Sequence, residues 1–103
     1  MRTKPDMASA RELALYAENE FSLYQSRALP IIANLARKKR RGIYDDGKAI
    51  KAWLYLADDA AKKYAKEYSV EDGRPIFDLA TRWEAARELR DHYAEAVSEK
   101  AAA

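Results

Sequence analysis

Cysteine is absent from this chain, which excludes disulfides, thiolate metal sites and a cysteine nucleophile together. Histidine occurs once, at His92. Any catalytic site would therefore have to be assembled from Asp, Glu, Lys, Tyr and that single imidazole. The serines have no strained elbow around them, and no glycine-rich phosphate loop exists. With three glycines and three prolines, turn chemistry is scarce, so the elements must be few and long. No apolar window approaches the roughly 20 residues of a membrane span. The opening residues, Met1 to Asp6, lack the apolar stretch of a signal peptide. The expectation is a cytoplasmic protein with no membrane segment, no cofactor, no metal and no enzymatic activity.

What the chain does have is amphipathic. Apolar residues make up 49% and charged residues 35% of 103 positions, too much of both for a disordered tail and suited to one helical domain. Seven tyrosines and two tryptophans supply bulky anchors whose polar ends need partners wherever they are buried. No internal repeat or strand-period run stands out.

The spacing predicts an all-α, compact bundle of four helices. Residues 1–7 read as a flexible leader, 8–99 as a single helical domain and 100–103 as a flexible tail. The first helix spans about 9–18, with Ser9 as N-cap, Glu12 completing a capping box, and Leu13, Tyr16 and Ala17 on one side. The second spans about 20–41 and carries the stripe Phe21, Tyr24, Ala28, Ile31 or Ile32, and Leu35. Pro30 lies inside it, so the helix is expected to kink there, and Gly42 stands where a left-handed C-cap belongs.

The third helix spans about 47–68, capped by Asp45 or Asp46, with an inward stripe of Ile50, Trp53, Leu54, Ala57, Ala60, Ala61, Tyr64 and Tyr68. Alanines at 57, 60, 61 and 65 allow another helix to approach closely. Asp72-Gly73 reads as a turn and Ile76-Phe77 as a core plug. Thr81 with Glu84 opens a fourth helix over about 81–98, with Trp83, Ala86, Leu89, Tyr93 and Val97 inward. Glu84–Arg87 and Arg87–Asp91 are expected surface pairs, and Asp58-Asp59 is expected to face Lys62 or Lys63.

Charge is unevenly spread. From Arg27 to Lys51 there are eight basic and two acidic residues, whereas from Glu67 to Glu99 there are four basic and nine acidic. The focus is the run Arg37-Lys38-Lys39-Arg40-Arg41, which ends at Gly42. Three readings stay open. The run can be a solvated cap that complements the helix dipole, a phosphate contact, or a contact for an acidic protein surface. Helical geometry spreads the five cations around the circumference, so they cannot all grip one backbone. Arg37, Lys38, Arg40 and Arg41, joined by Lys48 and Lys51 across the short link, form the candidate contact set. Tyr44 adds a ring for stacking on a base or for a protein hot spot.

Other constellations carry less. A helix-turn-helix is disfavoured because the link exceeds the usual three to four residues and its second helix presents Trp53, Leu54 and Leu56. Asp45-Asp46-Gly47 is not a calcium loop, since Lys48, Ala49, Ile50 and Lys51 follow. Asp91 neighbours His92 in sequence without facing it, so no base–orienter pair is implied.

The string Leu23-Tyr24, Arg27, Pro30-Ile31, Asn34-Leu35, Arg37-Lys38, Gly42, Tyr44-Asp45, Lys48-Ala49, Lys51, Trp53, Tyr55-Leu56, Asp58, Ala60-Ala61-Lys62, Tyr64 and Lys66-Glu67 resembles a family of small phage and prophage proteins of unassigned function. The resemblance covers about residues 12–68, with a looser match from Ala86 to Tyr93. It implies a setting, the host cell cytoplasm, rather than a mechanism, and has no catalytic residues to carry over. In that setting the expected function is stoichiometric, non-enzymatic binding to a host nucleic-acid-handling or defence protein, as an anti-CRISPR-like inhibitor would do. The alternative is direct DNA or RNA binding through the basic 37–51 region.

Overall fold

The computed structural model describes residues 4–68 and 77–103. Four helices make up these residues and no strand occurs among them. Helix α1 is Met7–Asn19. Helix α2 is continuous but composite: Phe21–Leu23, a π-helical turn Tyr24–Ala28, then Leu29–Arg40. Helix α3 is Asp46–Tyr68 and α4 is Leu79–Ala102. The expected Asp72-Gly73 turn and Ile76 lie outside the described residues, as do positions 1–3 of the expected leader.

The N-caps fall one side of the sequence expectation. Asp6, not Ser9, caps α1, accepting from the Ala8 and Ser9 backbone N–H groups. Ser9 sits inside the first turn and its hydroxyl donates to the same carboxylate at 2.9 Å. Glu12 closes no capping box and instead accepts from the Tyr64 hydroxyl of α3 at 2.9 Å. Likewise Asp78, not Thr81, caps α4, accepting from the Thr81 N–H at 2.8 Å. A carboxylate three residues upstream starts the helix about a turn earlier, because its hydrogen bonds to the first free N–H groups are charge-assisted. Thr81 is then released to be buried, where its Oγ1 accepts from the Asp6 N–H at 3.2 Å. That bond ties the two caps together. At its other end α4 continues to Ala102, past the expected stop at Ser98.

Helix α2 departs from the expected stripe. Pro30 lies at the start of the Leu29–Arg40 segment, and the ladder changes just upstream of it. The Leu29 N–H reaches back five residues to the Tyr24 carbonyl, a π-type bond. One extra residue in that turn shifts the phase of everything before it. Leu23 and Ala28, five apart, are buried, while Phe21 is 69% exposed.

Helix α4 is the hub, packed against α1, α2 and α3. Small residues bring the helices close: Ala10, Ala14 and Ala17 of α1, Ala57 and Ala60 of α3, and Ala85 and Ala86 of α4 are buried. Large side chains fill what remains. Trp53, 1% exposed, stacks on Tyr93 at 4.9 Å. Tyr64 meets Tyr16 and Phe77 edge-on at 5.2 and 5.0 Å. Each such fully buried side chain contributes about 1.5–3 kcal/mol by leaving water. Ala49 and Leu56 join this core although the sequence stripe passed over them, and Trp83 is only half-buried.

Candidate partner-binding surface

The basic run forms the last turn of α2, and the chain leaves it through a Schellman turn. Gly42 adopts φ +71°. Its N–H donates to the Lys39 carbonyl at 3.1 Å, and the Ile43 N–H donates to the Lys38 carbonyl at 3.0 Å. These bonds satisfy carbonyls that a helix end otherwise leaves orphaned. After Ile43 and Tyr44, Asp45 caps α3 by accepting from the Lys48 N–H at 2.8 Å. The cations of the last turn of α2 and Lys48 and Lys51 of α3 thereby lie on either side of a short link.

The two carboxylates at the start of α3 are already occupied. Asp45 holds the α3 N-terminus. Asp46 accepts from Arg90 of α4 at 2.7 Å and from the Tyr44 hydroxyl at 3.3 Å. Burial, and then the charge of Asp46, push the Tyr44 phenol above its ordinary pKa, so it stays a neutral donor.

The cations divide unequally. Lys39, which the candidate set omitted, is the one engaged by the fold: Nζ donates to Ser98 of α4 at 2.9 Å and lies 5.3 Å over the Tyr44 ring. Arg37 donates to Asn34 one turn back at 2.7 Å. Lys38 is half-buried, and Arg40, Arg41, Lys48 and Lys51 are exposed. Tyr44 is half-buried against the core, not the open ring that the sequence reading favoured. The apolar side chain exposed in the link is Ile43, at 59%.

A contrast among the arginines sets this end apart. Arg11, Arg27, Arg82, Arg87 and Arg90 each pair with a carboxylate. Arg37, Arg40 and Arg41 pair with none among the described residues. The pairs elsewhere also correct two expectations. Asp59 is held by Arg27 and Asp58 by Arg82 at 2.8 Å, so this acidic couple reaches other helices rather than Lys62 or Lys63. Asp91 accepts from Arg90 at 2.9 Å and not from Arg87, while the expected Arg87–Glu84 pair is present at 3.2 Å.

Across the molecule lies a groove of about 500 Å³ between α1 and α4, lined among others by Arg11, Leu15, Glu18, Glu88 and His92. The sequence reading did not find it, because its acids lie on two helices far apart in the chain. His92 Nδ1 is 3.4 Å from Glu18, not from its neighbour Asp91. Glu88 Oε2 is buried with no donor among the described residues. Among the described residues no group of three or more His, Cys, Asp or Glu is placed to hold a metal ion, and no helix is long and apolar enough to cross a membrane. Comparison with known proteins adds no assignment: no family model, curated protein or solved structure matches this chain.

Proposed function

We propose that this protein is a non-enzymatic binding module that acts stoichiometrically on a macromolecular partner, and that it engages an acidic protein surface through Arg37, Lys38, Arg40, Arg41, Lys48 and Lys51. The observation that carries the reading is the contrast among the arginines. A fold that gives every other described arginine a carboxylate leaves three together with none among the described residues, beside acids it has already committed elsewhere. The helix dipole stabilises such cations only by about 0.3–1 kcal/mol each, which does not require three arginines where Lys39 already spans to α4. Ile43 adds an apolar contact inside the charged rim, the pattern of a protein interface. The phage-protein resemblance supplies the setting, in which the partner is a host protein that handles nucleic acid or serves defence.

The test pairs capture with titration. Tagged wild-type protein is expected to retain a host protein at one-to-one stoichiometry, and the Arg37→Glu, Arg40→Glu, Arg41→Glu variant is expected to lose it. Duplex DNA, single-stranded DNA and RNA are titrated at two salt concentrations alongside. Direct binding whose affinity falls by about 0.9 log unit per phosphate contact per decade of salt would replace the protein-partner reading with the nucleic-acid one. Retention of the partner by the triple variant would remove the basic end from the function altogether.

A further inference from the structure

The π turn in α2 places side chains where an ordinary helix would not. In uninterrupted α-helical phase, Phe21 continues the buried stripe of Ala28, Ile32 and Leu35. The five-residue turn closed by Leu29 N–H to the Tyr24 carbonyl makes Leu23 the inward residue, and Phe21 emerges 69% exposed. Three α-helical steps and one π turn make about two full turns, so Phe21 comes to lie over Leu29, itself 42% exposed. From Leu29 the positions four, eight and eleven residues on share its face. These are Ala33, Arg37 and Arg40, all exposed.

The outward face of α2 is therefore a strip, about 28 Å long at the ordinary helical rise, apolar at its N-terminal end and cationic at its C-terminal end. π turns inside α-helices occur frequently at functional sites, and this one turns an aromatic ring out to solvent.

Two kinds of occupant fit poorly. An interfacial helix keeps its apolar face along its whole length, whereas here apolar and cationic residues succeed one another along the axis. A phosphate backbone makes use of Arg37 and Arg40 but not of Phe21 and Leu29. Both halves are satisfied by a helix that carries apolar anchors at one end and carboxylates at the other, laid alongside α2. We infer that the strip Phe21, Leu29, Ala33, Arg37 and Arg40 is the docking face for an acidic amphipathic helix of a partner protein. The inference rests on the binding-module reading above and gives its partner a shape: Phe21 and Leu29 take the apolar anchors, and the unpaired arginines take the carboxylates.

The probe is a fluorescein-labelled synthetic helical peptide with leucines at i, i+3, i+4 and i+7 followed by two glutamate-rich turns. A control peptide has those leucines replaced by serine. Binding is read by anisotropy for the wild-type protein, Phe21→Ser and the double variant Arg37→Glu, Arg40→Glu. Circular dichroism verifies the fold of each, which exposed positions should preserve. Both variants are expected to weaken binding of the leucine peptide at least about tenfold, the loss typical of an interface hot spot, and Phe21→Ser is expected to leave the serine peptide unaffected. Wild-type affinity in Phe21→Ser, with loss only in the arginine variant, overturns the docking strip and leaves the basic-end reading standing. Absence of wild-type binding to the leucine peptide also overturns the strip. Two further outcomes do the same: stronger binding to vesicles of anionic phospholipid than to the peptide, or sedimentation as a dimer that Phe21→Ser dissociates.

Discussion

Arg90 of α4 donates to Asp46 of α3 at 2.7 Å and to Asp91 at 2.9 Å, and this bridge removes from the basic end an acid that the neighbouring cations would otherwise use. Arg90→Gln breaks it. Both acids are more than half exposed, so screening limits the cost to about 1 kcal/mol or less. Urea denaturation should show that loss, and the difference from wild type should shrink as salt is added. Released Asp46 would lie near the basic run, so partner affinity should fall as well, although Arg90 belongs to no proposed contact set.

Gly42 is the hinge of the same region, and its substitution separates backbone from packing. At φ +71° a Cβ would meet no atom within 4 Å, so Gly42→Ala adds no clash. What remains is the left-handed conformation itself, worth about 1–2 kcal/mol for a residue with a Cβ. Gly42→Asn should cost less, since asparagine tolerates that region. The midpoint of urea unfolding is expected to rank Gly, Asn, Ala from highest to lowest.

How far the sequence disclosed this fold can be read from such positions. Four helices, the Gly42 cap, the Asp45 cap and the inward Trp53, Leu89, Tyr93 and Val97 follow from spacing and cap chemistry, which act locally. The errors arise where a second candidate competes with the one the pattern favours. Ser9 and Thr81 are good caps until Asp6 and Asp78, three residues upstream, cap the helix about a turn earlier. Phe21 fits the stripe until the ladder slips ahead of Pro30, and no sequence pattern states which residue a π turn will insert. The candidate surface was legible as a cluster of cations. Which cations stay unpaired was not, because that depends on Arg90 reaching Asp46 across 44 residues and on Lys39 reaching Ser98 across 59.

The two aspartate caps make stability depend on pH in acid. Backbone and hydroxyl hydrogen bonds from Ser9 hold the Asp6 carboxyl below its ordinary pKa, and those from Thr81 do the same for Asp78. A depressed folded-state pKa contributes stability that is complete above the unfolded value of 3.8 and lost as pH falls through the folded one. Wild-type stability should therefore decline below about pH 4. The Asp6→Asn, Asp78→Asn variant, which keeps capping side chains but cannot titrate there, should show a shallower decline. Urea midpoints measured from pH 5 to pH 2.5 provide the comparison.

Glu88 has the opposite sign. Burial is the largest cause raising its carboxyl pKa; Glu84, Glu18 and Asp91 push the same way, and Arg11 opposes them from 4.0 Å. Its Oε2 is buried with no hydrogen-bond donor among the described residues. Because the folded-state pKa lies above the unfolded value of 4.5, the ionised form penalises the fold. That penalty is complete above the folded pKa and vanishes once pH drops below 4.5. Glu88→Gln removes the charge that burial penalises while keeping the shape, so it should raise the urea midpoint at pH 7.5, a gain that loss of the Arg11 pair reduces. The advantage should fade as pH falls through the Glu88 pKa and be gone below pH 4.5. His92 and Glu18 are common to both proteins, so the difference in urea midpoint isolates Glu88. A Glu88→Gln variant no more stable than wild type at pH 7.5 would show that a donor reaches Oε2 in solution.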